Sequence, residues 1–224
     1  MLQHLRSLLR PRSAPPRSPV PGRNTALSAP ALYEGLFADR IEGFRPAPGE
    51  TPADWQRLLF DPAADPRAVR ALADEVQRDS RVRALACSWL RVRGLPVPRG
   101  LLLGLVAEVA MDAGIDVLAA YADGRVRLLH HSGRLVLADT PVPAYAAAVR
   151  AWLDAGAAAT GQARPWTRRP GALPGPGQAR LAWITADGLC AREGRFEDLV
   201  RDPATGPALL AASQLLQVVT RSVR

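Results

Sequence analysis

The stretch LLLGLVAEVAMDAGIDVLAAYADGRVRLLHHSGRLVLAD, residues 101–139, decides the fold. Apolar residues recur here with the alternation of a half-buried strand, and turn signals punctuate them. Asp123–Gly124 is a strong two-residue hairpin signal, and Ser132–Gly133 is a second. The pattern predicts four strands in an antiparallel meander, at about 101–111, 115–122, 125–131 and 134–139. Asp112–Ala113–Gly114 suits a three-residue loop with glycine in the left-handed position. That loop sets the register. Val109 then opposes Val117, and Ala107 opposes Ala119. With Tyr121, Val126, Leu128, Leu135 and Leu137 they make one apolar face. A two-residue loop would put Glu108 on that face, which is costly if the carboxylate is ionised and unpaired. The other face carries Leu118, Leu129 and Val136 in one cross-strand row. Uncovered, such a row marks a partner surface; covered by helices, it is core.

The flanks read as helices. Asp65 caps and Pro66 takes the first helical position, with Val69, Leu72 and Val76 on one face. Asp79–Ser80 is a second cap signal, before Val82, Leu85, Trp89 and Leu90, and Gly94 closes the pair. Trp55, Leu58 and Leu59 suggest a short helix within an irregular lead-in over residues 31–62. After the meander, PVPAYAAAVRAWLDAG is a helix with Tyr145, Val149, Trp152 and Leu153 inward. A Pro/Gly/Arg linker follows at 158–179, then a hairpin turning at Asp187–Gly188. A last helical segment breaks between Pro203 and Pro207. The expectation is one α+β domain over residues 63–222: a meander sheet of about four strands plus a further hairpin, packed by helices.

Charge excludes less than it suggests. The net +8 comes from 29 arginines and no lysine, against 21 acids. Residues 1–30 hold five arginines and no acid, while 31–220 are nearly balanced. The basicity therefore sits at the ends, whereas a nucleic-acid reader shows a basic face on its folded body. Residues 1–30 read as a disordered basic tail with a short amphipathic start, capable at most of weak membrane-surface or nucleic-acid contact. A composition this rich in Ala, Arg, Gly and Pro points to a high-GC bacterial genome. No run of about 18 apolar residues and no secretory segment is present, so a cytoplasmic setting is expected. Cys87 and Cys190 lie in no metal-ligand spacing and read as structural thiols.

His130 and His131 are two of only three histidines. Neighbours in a strand point to opposite faces, so the pair is not expected to share a metal. The register puts His130 between Val117 and Leu135 on the apolar face and Asp116 opposite His131, with Arg134 on the next strand. An aspartate can orient an imidazole as a general base, but no nucleophile or oxyanion donor stands beside the pair. The ordinary reading is a solvated cross-strand ion pair. In the linker, Trp166 lies among Arg164, Arg168 and Arg169, residue types common in interface hot spots.

The run GIDVLAAYADGRVRLLHHSGRLVLAD, the PW linker, RLAWITADGL and the closing LLAASQLLQ resemble a protein family of high-GC bacteria, over roughly residues 81–219. That resemblance implies no activity. The helix–meander–helix–hairpin–helix order also resembles profilin-like sensory and roadblock-type adaptor domains, an analogy of fold alone. The leading expectation is a non-enzymatic interaction or adaptor module without cofactor or metal. A protein partner or a second copy would meet Leu118, Leu129, Val136, Trp166, Arg168 and Arg169. The alternative is a ligand-sensing or hydrolase-like enzyme on Asp116, His131 and Arg134. A second alternative is nucleic-acid or membrane-surface binding through the tail.

Overall fold

The four-strand meander forms, and the later hairpin extends it within the same sheet. A computed structural model describes residues 29–168 and 172–222. The strands are β1 (Leu102–Met111), β2 (Gly114–Tyr121), β3 (Val126–Leu129), β4 (Leu135–Ala138), β5 (Arg164–Pro165), β6 (Gln178–Thr185) and β7 (Gly188–Arg195). They form one antiparallel sheet of seven strands, in the order β4-β3-β2-β1-β6-β7-β5. The additional strand is β5, two residues of the expected linker that pair with β7. Its Pro165 is tolerated because β5 is an edge, where a missing N–H breaks no central ladder.

Helices cover both faces. On the first lie α1 (Ala29–Glu34), α2 (Asp54–Phe60), α3 (Pro66–Asp74) and α4 (Ser80–Val92). There Phe37, Val69, Leu85 and Leu90 pack with Val106, Val117, Tyr121 and Ile184 of the sheet. On the second lie α5 (Ala146–Ala159) and α7 (Gly206–Ser222), with the short α6 (Phe196–Arg201) beside them. Tyr145, Val149, Trp152, Leu215 and Val219 pack there with Leu105, Leu118, Leu128 and Trp183. The lead-in does not stand apart, since Leu36 and Phe37 are buried in the first-face core. The cap signals hold: Asp65 accepts from the Arg67 N–H and Asp79 from the Arg81 N–H. Val76 departs from expectation. Helix α3 ends at Asp74, so Val76 falls beyond the apolar face and is 67% exposed.

Each of the meander's three turns differs from the expected loop by one residue. The first is the two-residue Asp112–Ala113, pairing Met111 with Gly114 and Glu108 with Val117. At the second, Tyr121 N–H donates to Arg125 O, which leaves Ala122, Asp123 and Gly124 as a three-residue loop. At the third, His130 N–H donates to Arg134 O, leaving His131, Ser132 and Gly133. Gly124 (φ 87°) and Gly133 (φ 81°) take the left-handed position that closes such loops. These slips change the faces. Ala107, Val126 and Leu128 pack on the second face, opposite to Val117, Ala119 and Tyr121. Leu135 and Leu137 lie on the edge strand β4 and stay 42% and 39% exposed.

The two-residue first turn does place Glu108 among apolar side chains, and the chain supplies what it needs. Glu108 is fully buried, and both its oxygens accept from Arg180 Nη1, at 2.9 and 3.2 Å. Tyr33 Oη donates to the same carboxylate at 2.7 Å. Arg180 also reaches Glu193 at 2.8 Å and stacks on Trp166, 4.7 Å from the ring centre. The cost of burial argued against this register, but it applies only to an unpaired charge.

Candidate functional site: the Asp116–His130–His131 cluster

Strand alternation stops at Leu129, the last residue of β3. His130 then closes the strand end, and His131 is the first residue of the three-residue turn. The curl of that turn brings both imidazoles to one place, their ring centres 4.0 Å apart and tilted by 35°. The expectation that neighbouring imidazoles diverge is therefore corrected. It assumed that the strand continued through residue 131.

Both rings gather on Asp116 of β2. Its Oδ1 accepts from the His131 backbone N–H at 2.8 Å and lies 2.8 Å from His131 Nδ1. His130 Nε2 is 3.7 Å from the same oxygen. The far side of the His130 ring is fixed by its own turn, with Nδ1 2.8 Å from Ser132 Oγ. Asp116 Oδ2 is buried and has no hydrogen-bond partner among the described residues. One donor atom from each of Asp116, His130 and His131 lies within 4.8 Å of the others. Burial holds the His130 imidazole below its ordinary value; the Asp116 charge opposes this, while His131 and Arg134 add to it. That shift favours the neutral imidazole, the form that donates a lone pair.

Beside Asp116 a cavity of about 40 Å³ opens between the sheet and α7, lined by Val109, Leu118, Leu128, Leu209 and Leu216, with Ser213 as a polar neighbour. It is far too small for a metabolite. The Ser213 hydroxyl is committed to Leu210 O at 2.7 Å. The Ser132 hydroxyl is engaged by His130, and both belong to the same turn. The geometry thus suits holding an ion better than attacking a substrate.

The other expected site residues scatter. Leu118 packs in the second-face core, Leu129 against the first, and Val136 again against the second. The row across β2, β3 and β4 is Leu118, Leu128 and Val136. Its members are core, because helices cover both faces, and the exposed-stripe reading is withdrawn. Trp166 turns inward, edge-on to Phe37 at 5.6 Å. Arg168 is buried and bound to Glu34 at 2.6 Å and Asp39 at 3.0 Å. Arg169 and residues 1–28, with the expected basic tail and His4, lie outside the described residues. Arg134 stands across the turn, where its carbonyl accepts from His130 N–H. Cys87 and Cys190 are free thiols, and burial pushes both up from the ordinary thiol value. Among the described residues no helix is long and apolar enough to cross a membrane.

The residue that sequence reasoning missed at this site is His130. The available signal was the glycine at 133. A three-residue turn needs glycine third, which makes His131 the first turn residue and frees its ring from strand alternation. The chain matches no family model, no curated protein and no solved structure.

Proposed function

We propose that this protein is a non-enzymatic binding module that holds a divalent transition-metal ion on Asp116, His130 and His131. The observation that carries this reading is the convergence of the three side chains, whose donor atoms lie within 4.8 Å of one another. Two imidazoles and a carboxylate are the borderline donor set favoured by zinc, nickel, cobalt and ferrous iron over magnesium or calcium. The orphaned Asp116 Oδ2 supplies a buried carboxylate oxygen whose desolvation an ion would offset. The Ser132 hydroxyl orients His130 from behind, as outer partners do in metal sites. Three protein ligands leave a coordination position for a donor atom from a ligand or partner. The ion would join β2 to the β3–β4 turn. The likeness of element order to profilin-like sensory domains fits a module that responds to a ligand rather than transforms one.

Calorimetric titration of the metal-free chain with zinc chloride tests the reading. One ion per chain is expected, and Asp116→Asn, which keeps an acceptor for the His131 N–H, is expected to abolish it. Absence of saturable binding, or equal binding by the variant, overturns the proposal.

A further inference from the structure

We infer that the groove between the lead-in and α4 binds a small anion: an oxyanion group, phosphate or carboxylate, carried on an apolar body. Two adjoining cavities, of about 420 and 270 Å³, share Asp39, Arg40 and Ser88 and so form one groove. Its size suits a metabolite-sized ligand. It lies on the first face of the sheet, whereas the cavity beside Asp116 lies on the second.

The lining asks for acceptors. Five arginines border the groove (Arg40, Arg45, Arg91, Arg93 and Arg168) against three carboxylates, Asp39, Glu42 and Asp61. Of these acids, Asp39 is engaged by Arg168, and Asp61 accepts from the Ala63 N–H. Two buried donors of lining residues have no acceptor among the described residues: Trp89 Nε1 and Arg168 Nη1. Trp89 is 7% exposed and Arg168 3%. A buried donor without a partner is costly, and a small shift that opens these two to the groove would let an anion satisfy both.

The arginines are held ready. Arg40 Nη2 donates to Arg168 O, and Arg91 Nη1 to Asp187 O. The Arg93 guanidinium lies 3.5 Å over the Trp89 ring, and Arg45 lies 4.6 Å over Phe60. Stacking of this kind fixes the guanidinium plane before a ligand arrives and lowers the ordering cost of binding. Leu59, Phe60, Leu85 and Val92 supply the apolar floor, which inorganic phosphate alone would not use.

Anilinonaphthalene sulfonate, an aromatic body with one anionic group, is the probe. Saturable fluorescence enhancement at one site per folded chain is expected. Arg40→Ala and Arg93→Ala, both at exposed positions, are each expected to weaken it roughly tenfold, the loss of one charge-assisted hydrogen bond. Trp89→Phe keeps a ring and removes only the unpartnered N–H. It should weaken the probe while near-ultraviolet circular dichroism confirms an intact fold. Displacement by adenosine monophosphate assigns the oxyanion as phosphate, and displacement by octanoate as carboxylate. No saturable binding, affinities unchanged in all three variants, or displacement by neither competitor overturns the inference. Zinc titration of the same variants is expected to be unchanged, so the two sites are tested separately.

Discussion

Replacing Arg180 by Met leaves the Glu108 carboxylate buried with Tyr33 as its remaining partner. Glu108 is 0% exposed and Arg180 4%, so solvent does little to screen the loss. Breaking a buried pair by removing one partner costs about 3–5 kcal/mol. For a domain of this size that lowers Tm by roughly 6–20 °C, at about 2–4 °C per kcal/mol. Urea unfolding followed by tryptophan fluorescence measures it. The double variant Glu108→Leu/Arg180→Met removes both charges and is expected to regain most of the lost stability. The loss in the single variant also depends on pH. Burial already pushes the Glu108 carboxyl above the ordinary value, with Arg180 and Tyr33 opposing. Folded chain then holds the proton more tightly than unfolded chain. The penalty is absent below the unfolded carboxylate value and grows as pH rises through the folded one. A loss under about 1 kcal/mol in Arg180→Met, or a double variant as unstable as the single, would refute the account of this pair.

Two further changes probe the packing and the caps. A Cβ on Gly156 would overlap the Leu105 side chain, which is fully buried, so Gly156→Ala forces a shift in the packing between α5 and the sheet. The overpacking cost of about 1–3 kcal/mol outweighs a helix-propensity gain of up to about 1 kcal/mol, and chemical denaturation should show net destabilisation rather than stabilisation. At Asp79, burial works against ionisation, but hydrogen bonds from Arg81 and the charge of Arg125 hold the carboxyl below its ordinary value. Its contribution is present above the unfolded carboxylate value and lost as pH falls through the folded one. Asp79→Asn, which still caps α4, should flatten stability against pH in that acid window, and an unchanged slope would contradict the assignment.

The elements were legible in the sequence because they rest on local chemistry. Asp65–Pro66 and Asp79–Ser80 start their helices as the residues imply, and the glycine-marked turns end the strands. Register was less legible, because Ala122–Asp123–Gly124 and His131–Ser132–Gly133 each fit a two- or a three-residue loop. The choice is settled by tertiary partners. Glu108 is acceptable on a buried face only because Arg180 and Tyr33 arrive from β6 and the lead-in, far away in sequence. The same slip hid the histidine cluster, since one residue decides whether His131 belongs to strand or turn. The inward course of Trp166 and Arg168 was equally invisible, because their partners Phe37, Glu34 and Asp39 lie in the lead-in. Covering both faces turned the suspected partner row into core, a matter of helix placement that strand pattern alone does not carry.

Visible absorption of the chain titrated with cobalt chloride tests the metal-binding reading most directly, because the ligand-field bands report the donor set itself. One equivalent is expected to develop intense bands of low-coordinate cobalt with nitrogen and oxygen ligands, lost in His130→Ala and in Asp116→Asn. A spectrum that stays that of the hydrated ion at every ratio, or bands that survive both substitutions, would contradict it.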